Sequence, residues 1–114
     1  MNDVELTLCV LLWAREGQAA ALVEYEDQVL QLISEHGGTV LQRARTTGTD
    51  GDPLEIQFFW FPSPDALDAY LKDERRIALA GIRDRVVART RTMGWIWSDG
   101  RVLTNRTPLA GARL

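Results

Sequence analysis

The sequence predicts an α+β fold: a four-stranded antiparallel sheet built in the order strand, helix, strand, strand, helix, strand. Three observations lead there. Short apolar or alternating runs suited to strands fall at residues 4–13, 39–46, 54–61 and 88–97. A long stretch between the first two carries apolar residues at three- and four-residue spacing. Between the last two, Pro62-Ser63-Pro64-Asp65 announces a second helical stretch.

The first strand, Val4 to Trp13, begins with alternation and ends nearly all apolar, the pattern of a strand half-buried at its start and buried on both faces at its end. In the helix that follows, Glu16 to His36, the residues Leu22, Tyr25, Val29, Leu32, Ile33 and His36 trace one stripe. Gly37-Gly38 ends it, because a left-handed residue at a helix C-terminus costs glycine nothing. A second strand, Thr39 to Thr46, leads into a loop of turn formers from Thr47 to Pro53 and then into the strand Leu54 to Phe61. Ser63 is placed to cap the second helix, with Pro64 in the first turn and Asp65 near the positive end of the dipole. Leu67, Tyr70 and Leu71 point inward; Asp73-Glu74 marks a break, and Ile77, Leu79, Ile82 and Val86 pattern a shorter helix. The last strand runs from Ala88 to Trp97, with Gly94 a point of interruption. Asp99-Gly100 is a hairpin signal, Val102 to Thr104 a short return strand, and the final ten residues a tail or an arm reaching a neighbour.

This order is the ferredoxin-like arrangement, expected over residues 1–97 with residues 98–114 as a hairpin or tail extension. A length of 114 residues fits one compact domain. On the first strand Glu5, Thr7, Cys9, Leu11 and Trp13 share one face; Leu6, Leu8, Val10 and Leu12 share the other. On the third, Ile56, Phe58 and Trp60 oppose Glu55, Gln57, Phe59 and Phe61. Neither face is solvent-like throughout, which predicts a partner sheet and hence a homodimer.

Composition narrows the function classes. A hydrophobic content of 46% with 25% charged residues argues against disorder. No apolar run approaches the roughly 20 residues of a membrane span, and Met1-Asn2-Asp3 lacks a basic signal-peptide start, so a cytoplasmic protein without membrane partners is expected. One Cys excludes an intrachain disulfide, and one Cys with one His cannot make a His/Cys zinc site. No phosphate-binding glycine loop, dinucleotide fingerprint or Gly-x-Ser-x-Gly elbow is visible, so no metal or cofactor is expected. The formal charge of −3 hides an asymmetry: residues 1–74 carry 4 basic and 14 acidic groups, residues 75–114 carry 9 and 2. The basic end has no pair of stacking aromatics flanked by cations, so nucleic acid is not the expected partner. In a two-fold dimer the acidic and Arg-rich parts can instead meet across the interface.

Tyr25 in the first helix, His36-Gly37-Gly38 before the second strand, Phe61-Pro62-Ser63 closing the third and Leu79-Ala-Gly-Ile-Arg83 leading to the last form an ordered set. On these residues the chain resembles the dimeric α/β-barrel superfamily, and within it a domain-of-unknown-function family of about this length, over residues 4–97. The resemblance implies two ferredoxin-like sheets paired face to face, with ligand pockets between each sheet and its helices or near the strand ends. Relatives of that superfamily include cofactor-free monooxygenases, haem-degrading enzymes, polyketide cyclases and lactone isomerases, and fold does not choose among them. Two departures stand out: Arg76 replaces a Tyr usual ahead of the Leu and Arg, and a Trp-rich extension runs on from Trp95.

Several side chains are candidates for chemistry. His36 is the one histidine and the natural general acid or base; it equally suits a helix C-terminus as a cap. Arg83 offers a rigid fork for a carboxylate, phosphate or enolate oxygen, with Arg85, Arg89 and Arg91 extending the positive region, or else it makes a surface ion pair. Tyr25 can orient a ligand hydroxyl or carbonyl, or serve as a core aromatic with a wet tip. Trp13, Phe58, Trp60 and Tyr70 are candidates for an aromatic pocket wall, or core. Cys9 reads as a small buried hydrophobe. The resulting expectation is a homodimer binding a small apolar or anionic metabolite. Cofactor-independent proton transfer, cyclisation or oxygenation is the chemistry that fits. The alternative is a non-catalytic dimerisation or accessory module.

Overall fold

A computed structural model describes residues 4–98, 101–105 and 114. Five strands form one sheet in the order β2-β3-β1-β4-β5. In chain order the elements are β1 (Glu5–Ala14), α1 (Ala19–Leu30), a 3-10 turn (Ser34–His36), β2 (Thr39–Arg45), β3 (Glu55–Phe61), α2 (Pro64–Leu71), α3 (Glu74–Ala78), α4 (Ala80–Val86), β4 (Val87–Ser98) and β5 (Arg101–Asn105). Every neighbouring pair is antiparallel. The four central strands are those the patterning predicts. The return strand adds a fifth, while the Asp99-Gly100 turn and the terminal arm at 106–113 lie outside the described residues.

Local chemistry accounts for the boundaries. Ser63 caps α2, its hydroxyl accepting from the Ala66 amide at 3.1 Å. Asp73 caps α3 through the Arg75 amide at 2.9 Å. The first helix is shorter than the expected Glu16 to His36. Gly17 adopts φ 77° and turns the chain before it, so winding starts only at Ala19. Past Leu30 the amides of Leu32, Ile33, Glu35 and His36 bond three residues back, tightening the end into 3-10 winding. Gly37 then takes the left-handed conformation at φ 78°. The expected shorter helix is broken at Leu79 into α3 and α4, and Ile77 faces solvent rather than the core. Gly94 does not interrupt β4: it pairs with Leu8 within a continuous strand.

The two faces of the sheet differ sharply. Leu6, Leu8, Val10 and Leu12 are fully buried against Leu22, Tyr25, Val29, Ile33, Leu67 and Tyr70, so the helices cover this face. On the opposite face Cys9 is buried but Thr7, Leu11, Trp13, Ile56, Phe58 and Trp60 are only half-buried. The register places Cys9 between Phe58 and Met93, in the middle of this apolar surface.

Candidate functional site

The side chains able to do chemistry gather between the sheet and the helices. α1 delivers Tyr25 and Glu26, α2 delivers Tyr70, α3 Arg76 and α4 Arg83. The sheet answers with Glu55 and Gln57 of β3, Arg43 of β2 and Thr90 of β4. Thr90 pairs with Leu12 and therefore projects to the helix-covered side, where its hydroxyl accepts from Arg83 Nη2 at 3.0 Å. Arg83 Nη2 also donates to a Leu114 main-chain oxygen at 3.5 Å. Arg76 lies over the Tyr70 ring, its guanidinium carbon 5.1 Å from the centroid.

Burial sets the electrostatics. It pushes the Tyr25 phenol above its ordinary range, against the opposing pull of Arg76 and Arg83. It pushes Tyr70 up to about 12, and the Tyr70 hydroxyl donates to the Val29 carbonyl at 3.1 Å. A buried polar string runs beside them. Arg43 forks onto Glu55 at 2.7 and 2.8 Å. Gln57 Nε2 donates to Glu55 Oε1 at 2.8 Å and to Glu26 Oε1 at 2.9 Å.

His36 stands at the end of this layer. Its Nε2 meets Asp73 Oδ2 at 2.8 Å, and its ring packs edge-on to Tyr70 at 6.3 Å. The Arg75 side chain, then His36 and the Arg75 amide, hold the Asp73 carboxyl well below the usual carboxylate range. The expected aromatic wall does not assemble. Trp13, Phe58 and Trp60 lie on the helix-free face, whereas Tyr70 is across the sheet with the helices. The Trp13 indole donates to the Gly51 carbonyl at 2.8 Å, the Trp60 indole to Glu5 at 2.7 Å. Nor do Arg85, Arg89 and Arg91 extend the Arg83 site: all three are exposed, and Arg89 stacks on Trp13 at 4.5 Å on the other side of the sheet. The structure thus brings Tyr25, Tyr70 and Arg83 into one layer, sets His36 at its rim and separates Trp13, Phe58 and Trp60 from it.

Patterning passed over Glu26, Gln57, Glu55 and Arg43, and took Arg76 only as a departure. A signal was present for Glu26: it lies four residues after Leu22 and three before Val29, a carboxylate on the apolar stripe. Among the described residues no group of three or more His, Cys, Asp and Glu is arranged to hold a metal ion. No described helix is long and apolar enough to cross a membrane.

No family model matches the chain. No curated protein matches it either. Solved structures do. A Pseudomonas aeruginosa protein superposes with TM-score 0.66 at 17% identity, covering 83% of this chain and 95% of its own. A Mesorhizobium loti protein, described as DABB family with a ferredoxin-like fold, gives 0.61 at 14%, covering 83% and 98%. A Bacteroides fragilis protein, described as dimeric, of unknown function and of ferredoxin-like fold, gives 0.63 at 9%, covering 82% and 96%. The fold is ferredoxin-like. At these identities the likeness is one of fold, and it fits the resemblance to domain-of-unknown-function proteins of the dimeric α/β-barrel superfamily.

Proposed function

We propose that the protein is a cytoplasmic homodimer whose subunits each bind a small anionic or carbonyl-bearing metabolite in the layer between sheet and helices. The observation that carries this reading is the inward course of Arg83, drawn onto the helix-covered face by its 3.0 Å bond to Thr90. Arg83 serves as anion anchor, Tyr25 as a polar contact beside it and His36 as a contact at the rim. A groove of 240 Å3 between α1 and α4, lined by Gln18, Tyr25, Ile82, Arg85 and Val86, gives access beside Tyr25; Arg83 is not among its lining residues. The half-buried apolar face of Trp13, Phe58 and Trp60 supports pairing of two sheets, as does the dimeric state described for the Bacteroides fragilis protein. If chemistry follows binding, cofactor-independent proton transfer suits an anion-stabilising layer of this kind.

A non-catalytic accessory module is favoured by a different observation: the Tyr70 hydroxyl is spent on the Val29 carbonyl, as in a packed core. Native mass spectrometry and thermal shift separate the two. A dimer is expected at micromolar concentration. A panel of 2-oxo carboxylates with alkyl or aryl bodies is expected to raise the melting temperature of the wild type but not of Arg83→Ala. A monomer overturns the sheet pairing, and a panel without effect on the wild type favours the accessory module.

A further inference from the structure

The same layer holds a carboxyl that anion anchoring does not use. Glu26 follows Tyr25 on α1, yet its side chain turns inward to β3 and is 3% exposed. Gln57 Nε2 divides its two N–H groups between Glu26 Oε1 at 2.9 Å and Glu55 Oε1 at 2.8 Å. The Glu55 charge is already met by the Arg43 fork, and Arg43 also holds Asp27. That leaves two enclosed oxygens, Glu26 Oε2 and Gln57 Oε1, with no hydrogen-bond partner among the described residues. Both are acceptors while Glu26 is ionised, so neither can serve the other. One proton changes this. As a neutral acid, Glu26 has an O–H to return to the amide that donates to it, closing a reciprocal acid–carboxamide pair.

The surroundings agree. The groups facing Glu26 are Glu55 and Gln57 from β3, Arg43 from β2, Arg76 from α3, and the neighbouring Tyr25 and Tyr70 rings. Burial first, and the Glu55 charge after it, push the Glu26 carboxyl up to about 7; the Gln57 N–H, Arg76 and Arg43 pull it down without cancelling them. The carboxyl thus holds its proton more tightly than one in water, as a proton carrier working near neutrality requires.

Building on the ligand-binding reading above, we propose that Glu26, rather than His36, exchanges a proton with the bound compound, and that this compound is a carbonyl with an acidic neighbouring C–H, such as a 2-oxo carboxylate. The Glu26 carboxylate takes the proton from the carbon beside the carbonyl. The C–H electron pair becomes the carbon–carbon double bond, and the carbonyl π pair moves onto oxygen, where Arg76 and Arg83 stabilise the negative charge. Return of that proton from Glu26 to the oxygen completes a tautomerisation, and return of a proton to carbon regenerates the carbonyl compound with exchange; neither needs an oxidant, reductant or leaving group. His36 is the weaker carrier because its Nε2 is engaged by Asp73 at the rim.

The probe is phenylpyruvate in D2O, with exchange of its C3 protons followed by proton NMR and binding followed by thermal shift. Wild type is expected to accelerate exchange. Glu26→Gln keeps an acceptor for Gln57 Nε2, and it is expected to retain the thermal shift while losing on the order of 100-fold or more in exchange rate. Infrared titration of the unliganded protein reads the carboxyl independently: an acid carbonyl band persisting to about pH 7 in wild type and missing in Glu26→Gln. Exchange at the wild-type rate in Glu26→Gln, with the shift intact, overturns the proton role and leaves the binding reading standing. A wild type that phenylpyruvate does not stabilise overturns the substrate class. An infrared band absent from wild type at pH 6, or unchanged in Glu26→Gln, overturns the assignment of a neutral Glu26.

Discussion

Glu26 and Asp73 are carboxylates shifted in opposite directions, and each gives stability a distinct pH dependence. The Glu26 carboxyl is raised in the fold from its ordinary 4.5 to about 7, so the folded chain binds the proton more tightly than the unfolded one. Its contribution is fully present below about pH 4.5 and is lost as pH rises through about 7. Urea unfolding should show wild type losing on the order of 3 kcal/mol across that window relative to Glu26→Gln, whose neutral side chain removes the slope. Equal pH profiles for the two proteins would contradict the buried carboxyl. Asp73 works the other way. Held low by Arg75 and His36, it stabilises the fold above its ordinary 3.8, and that stability is lost as pH falls below it. Thermal melts between pH 5 and pH 2 should therefore fall less steeply for Asp73→Asn than for wild type.

At the scale of elements, two short signals hold the helices against the sheet. Gly38 follows the left-handed Gly37 and lies under the core: a Cβ there would stand 2.7 Å from Phe61 Cε1 and 2.8 Å from Ile33 Cγ2. Both neighbours are fully or nearly fully buried, so neither can swing aside. Gly38→Ala should cost about 1–3 kcal/mol in denaturant unfolding, the usual range for overpacking. Ser63→Ala, which removes the cap on α2, should cost about 1 kcal/mol. The helices themselves were legible in part. Their apolar spacing and caps are local properties, so α1 and α2 stand where the patterning put them. Their ends depend on tertiary fit, which is why α1 stops at Leu30 in favour of tighter winding and why α3 and α4 part at Leu79.

For the whole molecule, the charge asymmetry has a use within one chain. Arg75 from the basic end pairs with Glu35 beyond α1 at 3.0 Å. Attraction between the two ends therefore acts within the subunit, and the proposed pairing of two sheets draws on the half-buried apolar face. Phe58 sits half-buried on that face, opposite Cys9. Phe58→Lys should leave a folded protein, because the helix-covered core is untouched, and light scattering should report a monomer. A dimer that survives this change would put the interface elsewhere.

The sequence by itself determined the order of strands and helices, the caps, the glycine turns and the partition of β1 into two unlike faces. These follow from spacing, turn chemistry and backbone sterics, all of which act over a few residues. It also named Tyr25, Tyr70 and Arg83 as candidates. Only the tertiary structure decided which of these meet. Trp13, Phe58 and Trp60 fell on the far side of the sheet from Tyr70, because strand register assigns faces in steps of one residue. Glu26 and Gln57, separated by 31 positions, became hydrogen-bonded partners when α1 was laid across β3. That contact is what raises the Glu26 carboxyl: enclosure between a helix and a sheet disfavours its charged form, as water would not.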